Sequence, residues 1–287
     1  MAKPTITIVG PGRLGSALAD ALAGAGYPLD EIVYRRGKTA AHRSRMSTHK
    51  LARRHGARAV EFESAELKAD VVWLCVGDSA ITSLAKSLSN MREWRGTVVF
   101  HSSGALTGAA LSPLRRAGAA VASVHPMMSF VHEGAEATFE VVFALEGQET
   151  ALRVARKIVR DLGGESLKIS AAKKPLYHTF GAFLSPLIVA NLALAERVGE
   201  RAGIPRAKIR QAIAPILATT IFNYITLGKD AAFSGPLARG DVDTVRKNLQ
   251  ALKRMPEARA VYRALARSAL RTLPVVHKKE LAKLLGT

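Results

Sequence analysis

The stretch ITIVGPGRLGSALADALAGAG, from Ile6 to Gly26, constrains the fold of this chain more than any other. Mostly apolar residues run into glycines spaced G-x-G-x-x-G at Gly10, Gly12 and Gly15, and small residues at helical spacing follow at once. A strand, a glycine turn and a helix in that order open a parallel βαβ unit. In such a turn the first glycine permits the sharp bend. The second leaves room for a pyrophosphate to approach the backbone, and the third lets the helix lie close on the sheet. The N–H groups at the helix start, around Arg13 and Leu14, then face the phosphates. Pro11 has no N–H to offer, but its neighbours do. A turn without a ligand is the alternative. The agreement of strand, spacing and helix favours a bound dinucleotide.

The rest of the first half continues the alternation. Strands are expected at Thr5–Val9, Glu31–Arg35, Val71–Val76, Thr97–His101, Ala120–His125 and Val141–Glu146, with a last one at Ser166–Ile169. Several are short, continuous apolar runs, which suits a parallel sheet covered on both faces. Helices are expected between them, at Leu14–Ala25, Ser79–Leu88 and Glu149–Leu162. From Lys173 onward the strand signal fades. Leu176–Ala202 reads as a long helix, Gly203–Pro205 punctuates it, and another helix follows to about Leu227. A loop at Gly235–Asp241 precedes two or three basic helices. The expected fold is α/β: a doubly wound, mostly parallel Rossmann sheet over residues 1–170, followed by an all-helical domain over residues 171–287.

The end of the second strand reports on the adenosine ribose. A site for NAD places an Asp or Glu there, on the 2′-hydroxyl. In this chain the acid, Glu31, comes at the strand's start, and Arg35 and Arg36 stand at its end. No Asp or Glu occurs between Glu31 and Glu61, an interval that carries nine Lys or Arg. A carboxylate would repel a 2′-phosphate, whereas a guanidinium grips it with paired hydrogen bonds. The expected cofactor is NADP, as NADPH in its reduced form. Arg53, Arg54 and Arg58 read instead as a solvated basic helix. The strand Val71–Val76 ends at Gly77, and Val76 and Gly77 are expected to pass close to the same cofactor. Asp78, next in line, reads first as a helix cap.

Net charge bears on partners. A formal charge of +19 draws polyanions and phosphorylated ligands. No zinc-finger spacing, RNP-type aromatic motif or repeat accompanies it, so nucleic acid is not the expected partner. No apolar run approaches the ~20 residues of a membrane helix, and no membrane partner is expected. No secretory signal is expected ahead of the first strand, and the one cysteine, Cys75, lies in the apolar run VVWLCVG. A buried thiol and a cytoplasmic setting are expected. His42 and His49 have no partners at metal spacing, and no metal is expected.

Three further stretches carry candidate chemistry. HSSGAL places Ser102, Ser103 and Gly104 at a strand end, where hydroxyls and N–H groups could hold a substrate carboxylate or serve only as a turn. HPMMSF places His125 at the next strand end, as an acid, an orienting group or a core residue. KKPLYHTF opens the helical half. There Lys174 and His178, four apart, share a helix face with Tyr177 beside them. A hydride-transfer enzyme needs a group to manage the proton on the carbonyl or imine side, and a lysine in a cleft can have a lowered pKa. Asn223 and Arg239 could close such a site from the helical half, Arg239 by binding a carboxylate.

The motifs GPGRLG, HSSGAL, HPMMSF, KKPLYHTF and GPLARGD, the last followed by Thr244 and Leu249, span nearly the whole chain in order. On them the chain resembles a bacterial family that pairs a Rossmann-like domain with a helical C-terminal domain of unknown function. Its layout is more distantly similar to β-hydroxyacid dehydrogenases, 6-phosphogluconate dehydrogenase, ketopantoate reductase and pyrroline-5-carboxylate reductase. That wider resemblance implies a nicotinamide cofactor and a homodimer built through the helical domain. It also implies a catalytic role for Lys174, with His178 where β-hydroxyacid dehydrogenases carry Asn, and substrate binding by Ser102–Gly104. The combined expectation is an NADP-dependent oxidoreductase acting on a small anionic carbonyl, hydroxy-acid or imine compound. Its rival is an NADP-binding regulator without turnover.

Overall fold

The computed structural model describes residues 2–35, 41–130 and 139–286. Eight strands form one sheet: β1 (Ile6–Val9), β2 (Leu29–Tyr34), β3 (Arg58–Glu61), β4 (Val71–Leu74), β5 (Val98–His101), β6 (Ala120–Pro126), β7 (Val142–Gly147) and β8 (Glu165–Lys168). Their order across the sheet is β3-β2-β1-β4-β5-β6-β7-β8. Every neighbouring pair is parallel except β6 and β7, which run antiparallel. The order reverses between β1 and β4, and the crevice at that switch point lies outside the carboxyl ends of the strands.

Side chains alternate across the sheet, and helices cover both faces. Ile6, Ile8, Val71 and Trp73 point to one face, where α1 (Arg13–Gly24) and α5 (Glu149–Asp161) bury Leu18, Leu22, Leu152 and Ile158. Val9, Val72 and Leu74 point to the other, against Ile81, Leu84 and Leu88 of α3 (Asp78–Ser89) and Leu114 of α4 (Ser112–Arg116). Double coverage explains why these strands are apolar throughout.

Two sequence expectations need correction here. Arg58 does not lie on a basic helix. The helix α2 (Ala41–Arg54) ends before it, and Arg58 begins the edge strand β3. There it pairs with Glu31 at 3.0 Å, and with Asp30 and Glu66 at 3.4 Å each. The long helix expected at Leu176–Ala202 is two helices, α6 (Lys174–Leu184) and α7 (Pro186–Arg201), separated at Ser185 (φ −130°, ψ −82°). Proline at 186 and the absence of Asp, Glu, Lys and Arg from residues 175–195 have opposite effects on how this stretch reads. The second makes Ala171–Arg201 long and apolar enough, by length and composition, to cross a membrane, contrary to the expectation that no run approaches that length.

The chain divides into two compact units, Met1–Ser185 and Pro186–Thr287. The division falls after α6 rather than near residue 170 because Lys174 and Tyr177 of α6 are buried within the first unit. In the second unit, α7 packs on α8 (Arg206–Ala232), whose helical backbone is interrupted at Gly228 (φ 78°). A small core joins Val245 and Leu249 of α9 (Val242–Ala251), Ala266 and Leu270 of α10 (Pro256–Thr272), and Leu281 and Leu285 of α11 (Lys278–Leu285). Asp241 closes the GPLARGD turn by accepting the N–H of Thr244, which caps α9.

Candidate functional site

The glycine turn after β1 has the geometry its spacing predicts. Gly10 adopts φ +94°, and a side chain there would stand 2.8 Å from Cys75 O. A Cβ at Gly15 would come within 2.2 Å of Gly10 O, so only glycine lets α1 lie this close to the turn. Gly12 differs: a Cβ there would meet nothing within 4 Å. No side chain caps α1, and its first turn carries no acid, so its opening N–H groups at Arg13, Leu14 and Gly15 have no partner among the described residues. A cavity of about 360 Å³ lies beside them, bounded by Gly10, Gly12, Arg35, Phe62, Val76 and Gly77. An open wall at Gly12, free helix N–H groups and an arginine fit the two phosphate positions of NADP.

Arg35 is exposed and lies 5.8 Å from the Phe62 ring centre. Arg36 falls outside the described residues. Glu31 is fully buried in the first half of β2, three residues before its end at Tyr34. Its carboxylate accepts the N–H of Leu67 at 2.8 Å and of Glu66 at 3.2 Å, so it is a structural anchor remote from the ribose position.

The next loops meet the same edge. Asp78 does not cap α3; Gly77 occupies the cap position, and no side chain caps the helix. Instead Asp78 Oδ2 accepts the hydroxyl of Ser103 at 2.8 Å. Ser103 Oγ in turn accepts the N–H groups of Leu106 at 2.9 Å and Ala105 at 3.2 Å. This hydroxyl is fully occupied, so Ser103 shapes the loop rather than presenting a free group. Ser102 Oγ accepts from Trp73 Nε1 at 2.8 Å and turns its own hydrogen toward the Cys75 sulfur. His101 is buried beneath. Its Nδ1 accepts Ser103 N–H at 3.1 Å and its Nε2 donates to Thr107 O at 3.0 Å, and burial lowers its pKa to about 4.

Helix α6 closes this edge within the first unit. Pro175 suits its first turn, where the missing N–H costs nothing. Lys174, Tyr177 and His178 at i, i+3 and i+4 turn to the ends of β5 and β6. Lys174 is only 1% exposed; its Nζ donates to Ser103 O at 3.1 Å and to Ser123 Oγ. Ser123 passes its own hydrogen to Ser103 O at 3.1 Å. Burial brings the ammonium down to about 8, with Glu146 and Asp78 opposing. Two of its three hydrogens go to the carbonyl of Ser103 and the hydroxyl of Ser123, which ties α6 to the Ser103 loop. Tyr177 OH lies 2.7 Å from His125 Nδ1, and burial pushes the phenol up to about 12. His178 is exposed. A Cβ at Gly104 would stand 2.9 Å from both His125 Nε2 and His178 Cδ2, so both rings border the space that glycine leaves free.

The structure therefore brings together Ser102, Ser103, Gly104, His125, Lys174 and His178, and links them to the glycine-turn cavity through Asp78. Asn223, half-buried on α8, and Arg239, exposed in the 235–241 turn, belong to the second unit. Sequence reasoning missed Trp73 and Ser123. Trp73 reads as core in an apolar strand; Ser123, a hydroxyl amid AVASVHP, carried a signal that could have been taken.

Residues 1–126 match the Rossmann-like domain, and residues 141–269 match a domain of unknown function, DUF2520. The chain thus pairs a Rossmann-like domain with a DUF2520 domain, the combination its motifs resemble. No curated protein matches it. Among solved structures, protein TM1727 from Thermotoga maritima is similar with a TM-score of 0.71 and 23% identity over 98% of this chain and 100% of that one. An imine reductase from Myxococcus stipitatus in complex with NADP+ gives 0.64 and 18% over 98% and 100%. A reductive aminase from Aspergillus terreus, in complex with NADPH and ethyl-5-oxohexanoate, gives 0.64 and 16% over 99% and 100%. At these identities the likeness is one of fold.

Proposed function

We propose that this protein is an NADP-dependent oxidoreductase. The observation that carries the reading is the open wall at Gly12, set between uncapped helix N–H groups and the Arg35-lined cavity. The helix N–H groups would hold the pyrophosphate and Arg35 the 2′-phosphate. When bound, the cofactor supplies or accepts a hydride. The solved structures of similar fold that hold NADP+ or NADPH support the same choice.

A turnover enzyme is favoured over a non-catalytic NADP-binding regulator by the polar cluster at the strand ends. A binding module has no need for two histidine rings, a buried lysine and a serine loop gathered at the strand ends. In this reading Lys174 fixes the Ser103 loop, and Ser102 and His125 face a small substrate. His178, on the solvent side, passes the proton in or out.

The reading includes a homodimer. Only Ile209 of α8 is buried, while Ile216, Phe222 and Ile225 are 68%, 65% and 75% exposed. The same unit carries an apolar groove of about 730 Å³ bordered by Leu194, Phe233, Leu252, Val261 and Leu265. A bare apolar helix and an apolar groove on one unit are self-complementary, and a second copy of the chain would cover both.

The test is a binding titration of NADPH against NADH, on the wild type and on Arg35→Ala. One lost guanidinium–phosphate bond of about 1.5–3 kcal/mol predicts roughly 10- to 100-fold weaker NADPH binding, with NADH unaffected. Equal affinity of the wild type for both coenzymes would overturn the phosphate assignment.

A further inference from the structure

We propose that His125 is the hydrogen-bond donor to the oxygen of a carbonyl substrate, so that the site takes ketones, aldehydes or 2-oxo acids rather than protonated imines. This rests on the oxidoreductase reading and narrows its substrate class.

The argument begins at Tyr177. The residue is only 9% exposed, and its hydroxyl, 2.7 Å from His125 Nδ1 in a partly buried contact, has no other polar partner among the described residues. If Nδ1 carried the hydrogen, the phenol's own hydrogen would go unpaired inside the protein, at a cost of about 1–3 kcal/mol. The phenol therefore donates, Nδ1 accepts, and the ring hydrogen sits on Nε2. Burial and the nearby charge of Lys174 keep the ring neutral, with a pKa of about 4.

His101 makes the contrast. Both of its nitrogens are satisfied within the protein. His125 Nε2 has no acceptor among the described residues. It borders the space above Gly104, which a single methyl group would obstruct at 2.9 Å. A fixed N–H at an open edge, without an acceptor, is suited to an incoming oxygen.

Charge selects the substrate. Hydride addition to a carbonyl carbon moves the π electrons onto oxygen, and a preplaced neutral N–H stabilises that oxygen as it becomes negative. The buried Lys174 ammonium adds positive potential behind it. The oxygen then takes a proton from the solvent side, through His178 or water, to give the alcohol; the reductant is the reduced nicotinamide. A protonated imine is a cation before the hydride arrives and calls for an acceptor or a carboxylate. His125 Nε2 has no lone pair to give, and the charge of Asp78 is set against the buried Lys174 ammonium.

Two measurements test this. Nitrogen-15 NMR of the His125 ring in the wild type should show Nδ1 unprotonated and Nε2 protonated near neutral pH. In Tyr177→Phe the hydrogen should distribute over both nitrogens. With NADPH, a panel of ketones, aldehydes and 2-oxo acids should be reduced and matched 1-pyrrolines should not. His125→Leu should lower kcat/KM for the carbonyl by about 100-fold with NADPH affinity unchanged. A hydrogen on Nδ1 would overturn the proposal. So would reduction of the imines alone, or NADPH binding with neither class reduced. Failure of the wild type to bind NADPH would instead remove the parent reading, and the substrate class with it.

Discussion

Lys174 shows how much one residue's environment adds to what its type suggests. A lysine four residues before a histidine, at the mouth of a cleft, reads as a proton carrier. In the structure its ammonium is buried and bonded to the Ser103 loop and to Ser123. The helix spacing was legible; the depth of the pocket was not, because burial depends on what α6 packs against. Its depressed pKa sets a measurable linkage. Between about 8, its folded value, and its ordinary 10.5, the folded state has released a proton that the unfolded state still binds. Stability conferred at this position is therefore lowest below pH 8 and rises with pH through that window. Chemical denaturation at pH 7 and pH 9.5 should show the wild type gaining on Lys174→Met by about 1–2 kcal/mol at the higher pH. An unchanged difference would mean that the lysine titrates normally.

At the scale of elements, the central strands were legible because each is apolar on both faces. The edge strand β3 was not. Arg58–Glu61 is short, polar and half-exposed, and its pairing with β2 is reinforced by the Arg58 ion pairs to Asp30 and Glu31. Sequence periodicity has little to grip in four such residues. The break at Ser185 was also hidden, since residues 175–195 read as continuous apolar helix. Helix α8 gives the prediction at this scale. A helix with Phe222 and Ile225 in water should not remain so, and sedimentation should give twice the single-chain mass for the wild type. Phe222→Glu with Ile225→Glu should sediment as a single chain with its helix content retained. A monomeric wild type at micromolar concentration would contradict a second copy as the cover.

At the scale of the whole molecule, the alternation of strands and helices followed by helices alone was enough to read the architecture. The matches to a Rossmann-like domain and to DUF2520 agree with it. Less of the site was legible. The glycine turn could be placed from the sequence because its function depends on the backbone. The cluster at Ser103, His125 and Lys174 joins three distant parts of the chain, and its hydrogen bonds appear only once β5, β6 and α6 meet. The second strand's arginines illustrate the limit, since Arg35 lines the cavity and Arg36 lies outside the described residues.

The central claim, that a dinucleotide phosphate lies against the first glycine turn, is tested most directly at Gly12. Its backbone (φ −77°, ψ −162°) accepts a β-branched residue, and a Cβ there meets nothing within 4 Å among the described residues. Calorimetric titration of NADPH into Gly12→Val should show binding weakened by about 100-fold, roughly 2.7 kcal/mol, with the melting temperature of the free protein unchanged. NADPH binding at wild-type affinity by the folded variant would contradict the account.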